Sequence, residues 1–204
     1  TIGWTLNGGC EAGPGPILIN RSRLETLAQA LSIFKDTSKV AMEESDMDEN
    51  AKKRALLMIP YGLFILGAKH GNSQTVATIN WVTQASFNPP LVAIGVKGDS
   101  SLHPLIKDSG KFTLSVLGSG QKGIAGAFFR HVEPKDGKFG NFAFEPGKNG
   151  APIISEAPAA VECDVVGFYE LGDHSVVVGK VTEAHVKNET EVLTMKETGW
   201  NYGG

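Results

Sequence analysis

Apolar and polar positions change period several times along this chain, and each change predicts a boundary between elements. Over 75–86 they alternate: Thr75, Ala77, Ile79, Trp81, Thr83 and Ala85 stand against Val76, Thr78, Asn80, Val82, Gln84 and Ser86. A period of two predicts a strand with two unlike faces. One face is small and mixed. The other carries amides and hydroxyls, which need backbone partners, water or a ligand if burial is not to be costly. Pro89 and Pro90 stop this strand, and 91–96 resumes as an unbroken apolar run of the kind that fills a core strand. Further strands are expected at 61–68, 111–117, 159–170 and 175–186, with Gly172 and Asp173 in the turn between the last two. In 159–170, Val161, Cys163 and Val165 alternate with Glu162 and Asp164, the mark of a half-exposed strand.

Helical spacing occurs less often. Leu24, Leu27, Ala28 and Leu31 recur at helical intervals behind Ser22 and Glu25, a capping-box spacing, so a helix is expected over 23–35. Acidic residues between 42 and 54 precede Lys52, Lys53 and Arg54, an order that suits the dipole of a second helix reaching Met58; its charges read as a solvated face. A short helix should follow Lys97, with Ser100 as N-cap, Pro104 in the first turn and Gly110 at its close. Residues 1–20 are interrupted by glycine and proline and read as an irregular lead with one short strand at 17–19. Residues 118–152 form a glycine-rich excursion that Phe128, Phe129, Phe139, Phe142 and Phe144 should pin to the body of the protein. About six strands, without strand–helix alternation or an internal repeat, point to a closed or partly closed antiparallel barrel, because closure removes exposed edges.

Length and composition narrow the classes. At 204 residues, with 41% apolar and 20% charged positions, the chain suits one globular domain with a proper core. A net charge of -3 offers no broad attraction to nucleic acid or anionic lipid, so neither is expected as a partner. No apolar run approaches the ~18 residues of a membrane span, and the first residues lack the basic-then-apolar order of a signal peptide. Cys10 and Cys163 are too far apart for a redox or zinc spacing and too few for a disulfide framework. A soluble, cytoplasmic protein is the expectation.

Two stretches carry candidate chemistry. After the 91–96 run, Ser100 and Ser101 offer hydroxyls, Lys97 a positive charge, and the start of the next helix free amides, a combination suited to phosphate. The plainer alternative is a capped helix beside a solvated lysine. In 78–86, Asn80, Thr83, Gln84 and Ser86 are the right types to satisfy the polar edge of a bound ring, or else they face water. Gly172, Asp173 and His174 form a turn by their own chemistry. His103 stands beside the candidate anion site. No Walker loop or clustered metal-ligand motif occurs in the sequence. Cys163 reads as a small core residue. The aromatics of the 194–204 tail, TMKETGWNYGG, suit either docking onto a partner subunit or disorder.

The stretch TINWVTQASFNPPLVAIGVK, followed by SSLHPLIKDSGKFTLSVL and later by GDHSVVVGKV, resembles the flavin reductase-like family over 56–187, in the family's order. The resemblance implies a mainly β fold with a few helices, a split β-barrel that binds FMN and usually dimerises. On this reading 1–54 is an N-terminal helical extension, 55–190 the barrel domain and 191–204 a tail. It implies flavin contacts from Thr78, Asn80, Trp81, Val82, Thr83, Gln84, Ala85 and Ser86. It places the phosphate and ribityl near Lys97, Ser100, Ser101 and His103. His174, in a GDH-x-x-x-x-G-x-V signature, would be the catalytic position beside the flavin or the nicotinamide nucleotide, with Asp173 as its orienting partner. Trp81 departs from the small residue often found in relatives, so it would crowd one face of the ring or stack at a dimer contact.

The activity implied is that of a NAD(P)H-dependent flavin reductase, with FMN as cofactor and NADH or NADPH as co-substrate. Such chemistry requires no nucleophile or general base from the protein. An FMN electron-transfer module resembling flavoredoxin, with FMN as a permanent prosthetic group reduced by a protein partner, is the first alternative, and an electron-acceptor protein is a further candidate partner. A cofactor-free interaction barrel is the second. A homodimer is the expected assembly.

Overall fold

The computed structural model describes residues 47–203. The irregular lead, the strand expected at 17–19, the helix expected over 23–35 and Cys10 lie outside the described residues. The chain divides into two units, 1–47 and 48–204, and the second holds the described elements. Its first element is helix α1 (Glu49–Leu57), whose cap Asp48 accepts hydrogen bonds from the backbone N–H groups of Asn50 and Ala51, and none of whose residues is buried. A short polar cap and a charged, solvated body are what the sequence of this segment supports.

The strands that follow are β1 (Phe64–His70), β2 (Ser73–Ile79), β3 (Val82–Ser86) and β4 (Leu91–Lys97). After helix α2 (Leu102–Ser109) come β5 (Lys111–Val116) and helix α3 (Lys122–Ala127). Next are β6 (Pro134–Lys135), β7 (Lys138–Phe139), β8 (Phe142–Pro146) and β9 (Pro152–Ile154). The long strands β10 (Ala159–Tyr169) and β11 (His174–Val186) precede the short helix α4 (Met195–Thr198). Strands β6 to β9 make a small sheet of their own inside the excursion that the sequence left without elements.

The main sheet has seven strands in the order β2-β1-β5-β10-β11-β4-β3, and every pairing is antiparallel. Its two edge strands are consecutive in sequence, joined only by Asn80 and Trp81. If this seven-stranded sheet were flat, strands about 4.8 Å apart would put its edges roughly 29 Å from each other. The chain from Ile79 to Val82 reaches at most about 11 Å. The sheet is therefore rolled into a barrel with a seam between β2 and β3. This corrects the single strand expected over 75–86: the alternation continues, but the chain leaves one edge at Ile79 and enters the other at Val82. The seam is held by the Val82 N–H donating to Asn80 O at 3.1 Å and the Gly95 N–H donating to Trp81 O at 2.9 Å.

Strand β1 is buried on both faces, which explains its continuous apolar sequence. Leu66 and Ala68 face an inner cluster with Ile94, Val96, Phe112, Cys163 and Val177, closed by Leu102 and Ile106 of α2. Leu63 and Ile65 face an outer cluster with Ile124, Phe128, Phe139, Ile154 and Leu193. Cys163 is fully buried, and burial pushes its thiol up to about 12, so it is an inert packing group. Residues beyond β11 rejoin the body: the Leu63 N–H donates to Leu193 O and the Leu193 N–H to Leu117 O, each at 2.8 Å.

One buried charge ties the excursion to the barrel. Glu162 of β10 is 1% exposed; its carboxylate accepts hydrogen bonds from the backbone N–H groups of Asn149 (2.7 Å) and Lys148 (3.0 Å) and lies 2.8 Å from His185 Nε2. Burial alone would push this carboxyl up. The Asn149 N–H, the His185 side chain and the Lys148 N–H outweigh burial and hold it below its ordinary 4.5. A group lowered in this way contributes stability above its unfolded value and loses it as pH falls through its folded one. The stability advantage of the wild type over Glu162→Gln in urea unfolding should therefore shrink as pH is lowered through and below 4.5. An advantage unchanged down to pH ~3 would show that the charge on this carboxyl does not hold the loop.

Candidate functional site

The seam, the end of β4 and the start of β11 converge because His174 pairs with Lys97 in the sheet and the Gly98 N–H donates to Asp173 O at 2.9 Å. The Gly-Asp-His turn is thereby fixed against the segment that leads into α2. Between these walls lies a cleft of about 880 Å3, lined by Thr78, Asn80, Trp81, Gly95, Lys97, Ser100, Phe128, Phe129, His174 and the segment from Gly199 to Tyr202, among others. That size suits a cofactor or a drug-sized ligand.

Trp81 forms one side of the cleft. Its indole rests on Gly95, where a Cβ would come within 2.9 Å of the ring, so only glycine leaves room for it. The His174 ring lies 4.5 Å from the Trp81 ring and the Tyr202 ring 5.6 Å from it, both tilted. Tyr202 Oη is 2.9 Å from His174 Nε2. Asp173 Oδ1 is 3.0 Å from His174 Nδ1, an ion-pair distance without the alignment of a hydrogen bond. His174 beside it holds the Asp173 carboxyl below the usual carboxylate range. Burial pushes the Tyr202 phenol up, against the pull of Lys97, so it keeps its proton.

The polar atoms of the cleft carry the chemical information. Among the described residues, four buried side-chain nitrogens and oxygens have no hydrogen-bond partner: Asn80 Nδ2, Trp81 Nε1, Ser100 Oγ and His174 Nδ1. All four belong to residues lining this cleft. His174 Nδ1 has the Asp173 carboxylate 3.0 Å away; leaving any of the other three unpaired costs about 1–3 kcal/mol, so together they mark a surface shaped for a polar ligand. Two or more donors beside an aromatic wall match the carbonyl-bearing edge of a flavin, and the Ser100 hydroxyl matches its ribityl or phosphate.

The sequence-based candidates divide accordingly. Thr78, Asn80, Trp81, Lys97, Ser100 and His174 meet at the cleft. Thr78 has its hydroxyl occupied, donating to Ala125 O at 2.7 Å. Lys97 pairs with Asp99 at 3.0 Å, and that hydrogen bond raises its pKa. Val82, Thr83, Gln84, Ala85 and Ser86 lie on edge strand β3, with Thr83, Gln84 and Ala85 exposed, and do not line the cleft. Ser101, not Ser100, is the N-cap of α2, and it makes no side-chain cap bond. Ser100 lines the cleft and its Oγ is left without a partner; Gly110, at φ 66°, closes the helix as its sequence suggests. Ser101 Oγ lies 3.5 Å from His131 Nδ1. His103 is turned to Ser175 Oγ at 2.8 Å and Phe168, outside the cleft lining. The cleft also takes Phe128 and Phe129, expected only to pin the excursion, and the 199–202 segment, expected to dock onto a partner subunit or be disordered but packed here on its own chain.

Among the described residues no group of His, Cys, Asp and Glu is arranged to hold a metal, and no helix is long and apolar enough to cross a membrane. Residues 56–202 match the family model described as flavin reductase like domain. The chain is 36% identical over 122 residues to a flavin reductase of Pseudomonas putida, covering 60% of this chain and 69% of that one. It is 32% identical over 135 residues to diflavin flavoprotein A 1 of Synechocystis, covering 66% of this chain but 24% of that much longer protein. A structure of a Streptomyces globisporus NADH:FAD oxidoreductase in complex with NAD and FAD fragments is similar at 30% identity and a TM-score of 0.60, covering 69% of this chain and 83% of that one. The chain spans about a quarter of the length of the diflavin flavoproteins that it matches.

Proposed function

The chain belongs to the flavin reductase like domain family, and on that premise we propose that it is a NAD(P)H-dependent flavin reductase that binds FMN. The observation that carries this reading is the set of three unpartnered polar atoms, Asn80 Nδ2, Trp81 Nε1 and Ser100 Oγ, on residues that line one aromatic-walled cleft. Asn80 and Trp81 would hold the carbonyl edge of the ring, Ser100 and Ser101 with Lys97 the ribityl and phosphate. His174, with Asp173 beside it, would face the nicotinamide. Bound flavin would supply the redox chemistry, accepting hydride from the reduced nicotinamide. The protein's own work is to hold the two rings together and to keep water from the face between them. No residue need donate or accept a proton for this.

Within the proposal, 55–190 carries the barrel, 1–54 is an extension, and two copies associate. The exposed apolar side chains Phe87, Val166, Tyr169, Leu171, Val176 and Val186 support such an association, and Phe87 is 89% exposed. Strand β3, with Thr83, Gln84 and Ala85 outward, would then contact flavin only from a neighbouring copy. The similarity to longer diflavin flavoproteins favours a second reading, an electron-transfer module whose FMN is reduced by a protein partner. One preparation tests these readings. A visible spectrum with added FMN, followed anaerobically by NADH and then NADPH, should show bound flavin that bleaches with one nucleotide, and a mass in solution of two chains. Bound flavin indifferent to both nucleotides would favour the electron-transfer module. No flavin binding would leave neither reading standing.

A further inference from the structure

The segment after α4 crosses the mouth of the cleft with very little holding it. Gly199 at φ 68° and Gly203 at φ 102° flank Trp200, Asn201 and Tyr202, and both glycines occupy backbone conformations that other residues rarely adopt. Upstream the segment is anchored: Lys122 Nζ donates to Thr198 O at 2.6 Å, and Trp200 packs edge-on against Phe129 at 4.8 Å. Among the described residues, 201–203 make no backbone hydrogen bond, and their one side-chain bond joins Tyr202 to His174. Trp200, Asn201 and Tyr202 also border a second hollow of about 400 Å3, shared with Pro60 and Tyr61, which leaves the segment space to move into. Few bonds and open space are the marks of a segment that opens locally.

What the segment covers is the working face of the cleft. A Cβ on Gly203 would lie 3.5 Å from Trp81 Nε1, one of the unpartnered donors, so the segment buries that donor without satisfying it. Tyr202 meanwhile occupies His174 Nε2. With Asp173 on the Nδ1 side, the imidazole proton belongs on Nδ1 and the phenol donates to Nε2. In this arrangement neither His174 nor Trp81 is available to a nucleotide.

We propose that Tyr202 is a positioning residue on a hinged strap: its phenol holds His174 in a closed arrangement, and the reducing nucleotide must displace it to reach His174 and Trp81. The inference rests on the reductase reading and adds to it a residue that sets nucleotide affinity. The raised pKa of the phenol is consistent with a donor that stays protonated.

The test compares wild type with Tyr202→Phe, which keeps the ring on Trp81 and deletes the hydroxyl, and with Tyr202→Ala, which deletes both. In flavin-loaded protein, Tyr202→Phe should lower KM for the reducing nucleotide about 3- to 10-fold, the factor that corresponds to one net hydrogen bond. In flavin-free protein, 15N resonances of the His174 ring should show Nδ1 protonation in wild type and a relaxed tautomer preference in Tyr202→Phe. Packing alone would move neither quantity in the Phe variant and would move both only in Tyr202→Ala; that result overturns the proposal. Should wild type bind no flavin, the reductase reading falls, and the His174 resonances alone decide whether the hydroxyl positions that ring.

Discussion

The Gly179→Ala variant is expected to unfold roughly 6–12 °C below wild type, at about 3 kcal/mol of overpacking and 2–4 °C per kcal/mol for a domain of this size. Gly179 is not a turn glycine; it sits inside β11. A Cβ there would lie 2.4 Å from Phe112 Cζ and 2.9 Å from Cys163 Cβ, at the centre of the inner cluster. Phe112 is fully buried and has nowhere to swing. The glycine of the GDH-x-x-x-x-G-x-V signature is thus explained by one ring in the core, with no appeal to ligand binding. Thermal unfolding followed by circular dichroism settles the matter, and a midpoint within 2 °C of wild type would show that the ring yields.

Asn80→Leu should move stability and function in opposite directions. The substitution keeps shape and removes a buried amide whose Nδ2 has no partner, so the flavin-free protein should gain about 1–3 kcal/mol in urea unfolding. Flavin affinity should fall at least tenfold, the equivalent of ~1.4 kcal/mol, because a donor to the ring is gone. A loss of stability together with unchanged affinity would mean that the amide serves the barrel and not a ligand. Groups that cost stability in the empty protein are the ones a binding site is built from.

Much of the fold was legible because each barrel strand carries its burial in its sequence. Strand β1 reads as continuous because both faces are covered, and in β10 Asp164 is exposed beside buried Cys163; Glu162, which the alternation put on the exposed side, is instead buried under the loop at 148–149. The misreading at 75–86 has a physical cause. A period of two describes side-chain direction and is blind to which neighbour a strand pairs with, so nothing local distinguishes one strand from two on opposite edges. The small sheet of β6 to β9 was invisible for a different reason: its strands have two to five residues, below the length at which periodicity speaks.

The site was half legible. Asn80, Ser100 and His174 have polar types at places where the resemblance expected them, and the cleft gathers them. Thr83 and Gln84 have equally suitable types but stand on an exposed edge. Tyr202 could not have been assigned, because its role rests on a contact to a residue 28 positions away.

The seam between β2 and β3 also orders the way this protein assembles. Strands β1 and β2 form a hairpin across Gly71 and Asn72, and β3 and β4 form a second hairpin directly after it. Both are local in sequence and cheap in loop entropy. They end at opposite edges of the sheet, and β5, β10 and β11 must be threaded between them through pairings such as Lys97 with His174 and Val116 with Ala159. Such long-range pairings are the slow events of folding. The cleft takes its walls from the seam, β4 and β11 together, so a chain with only its hairpins formed has no binding site, and ligand capture reports the moment at which the cylinder closes.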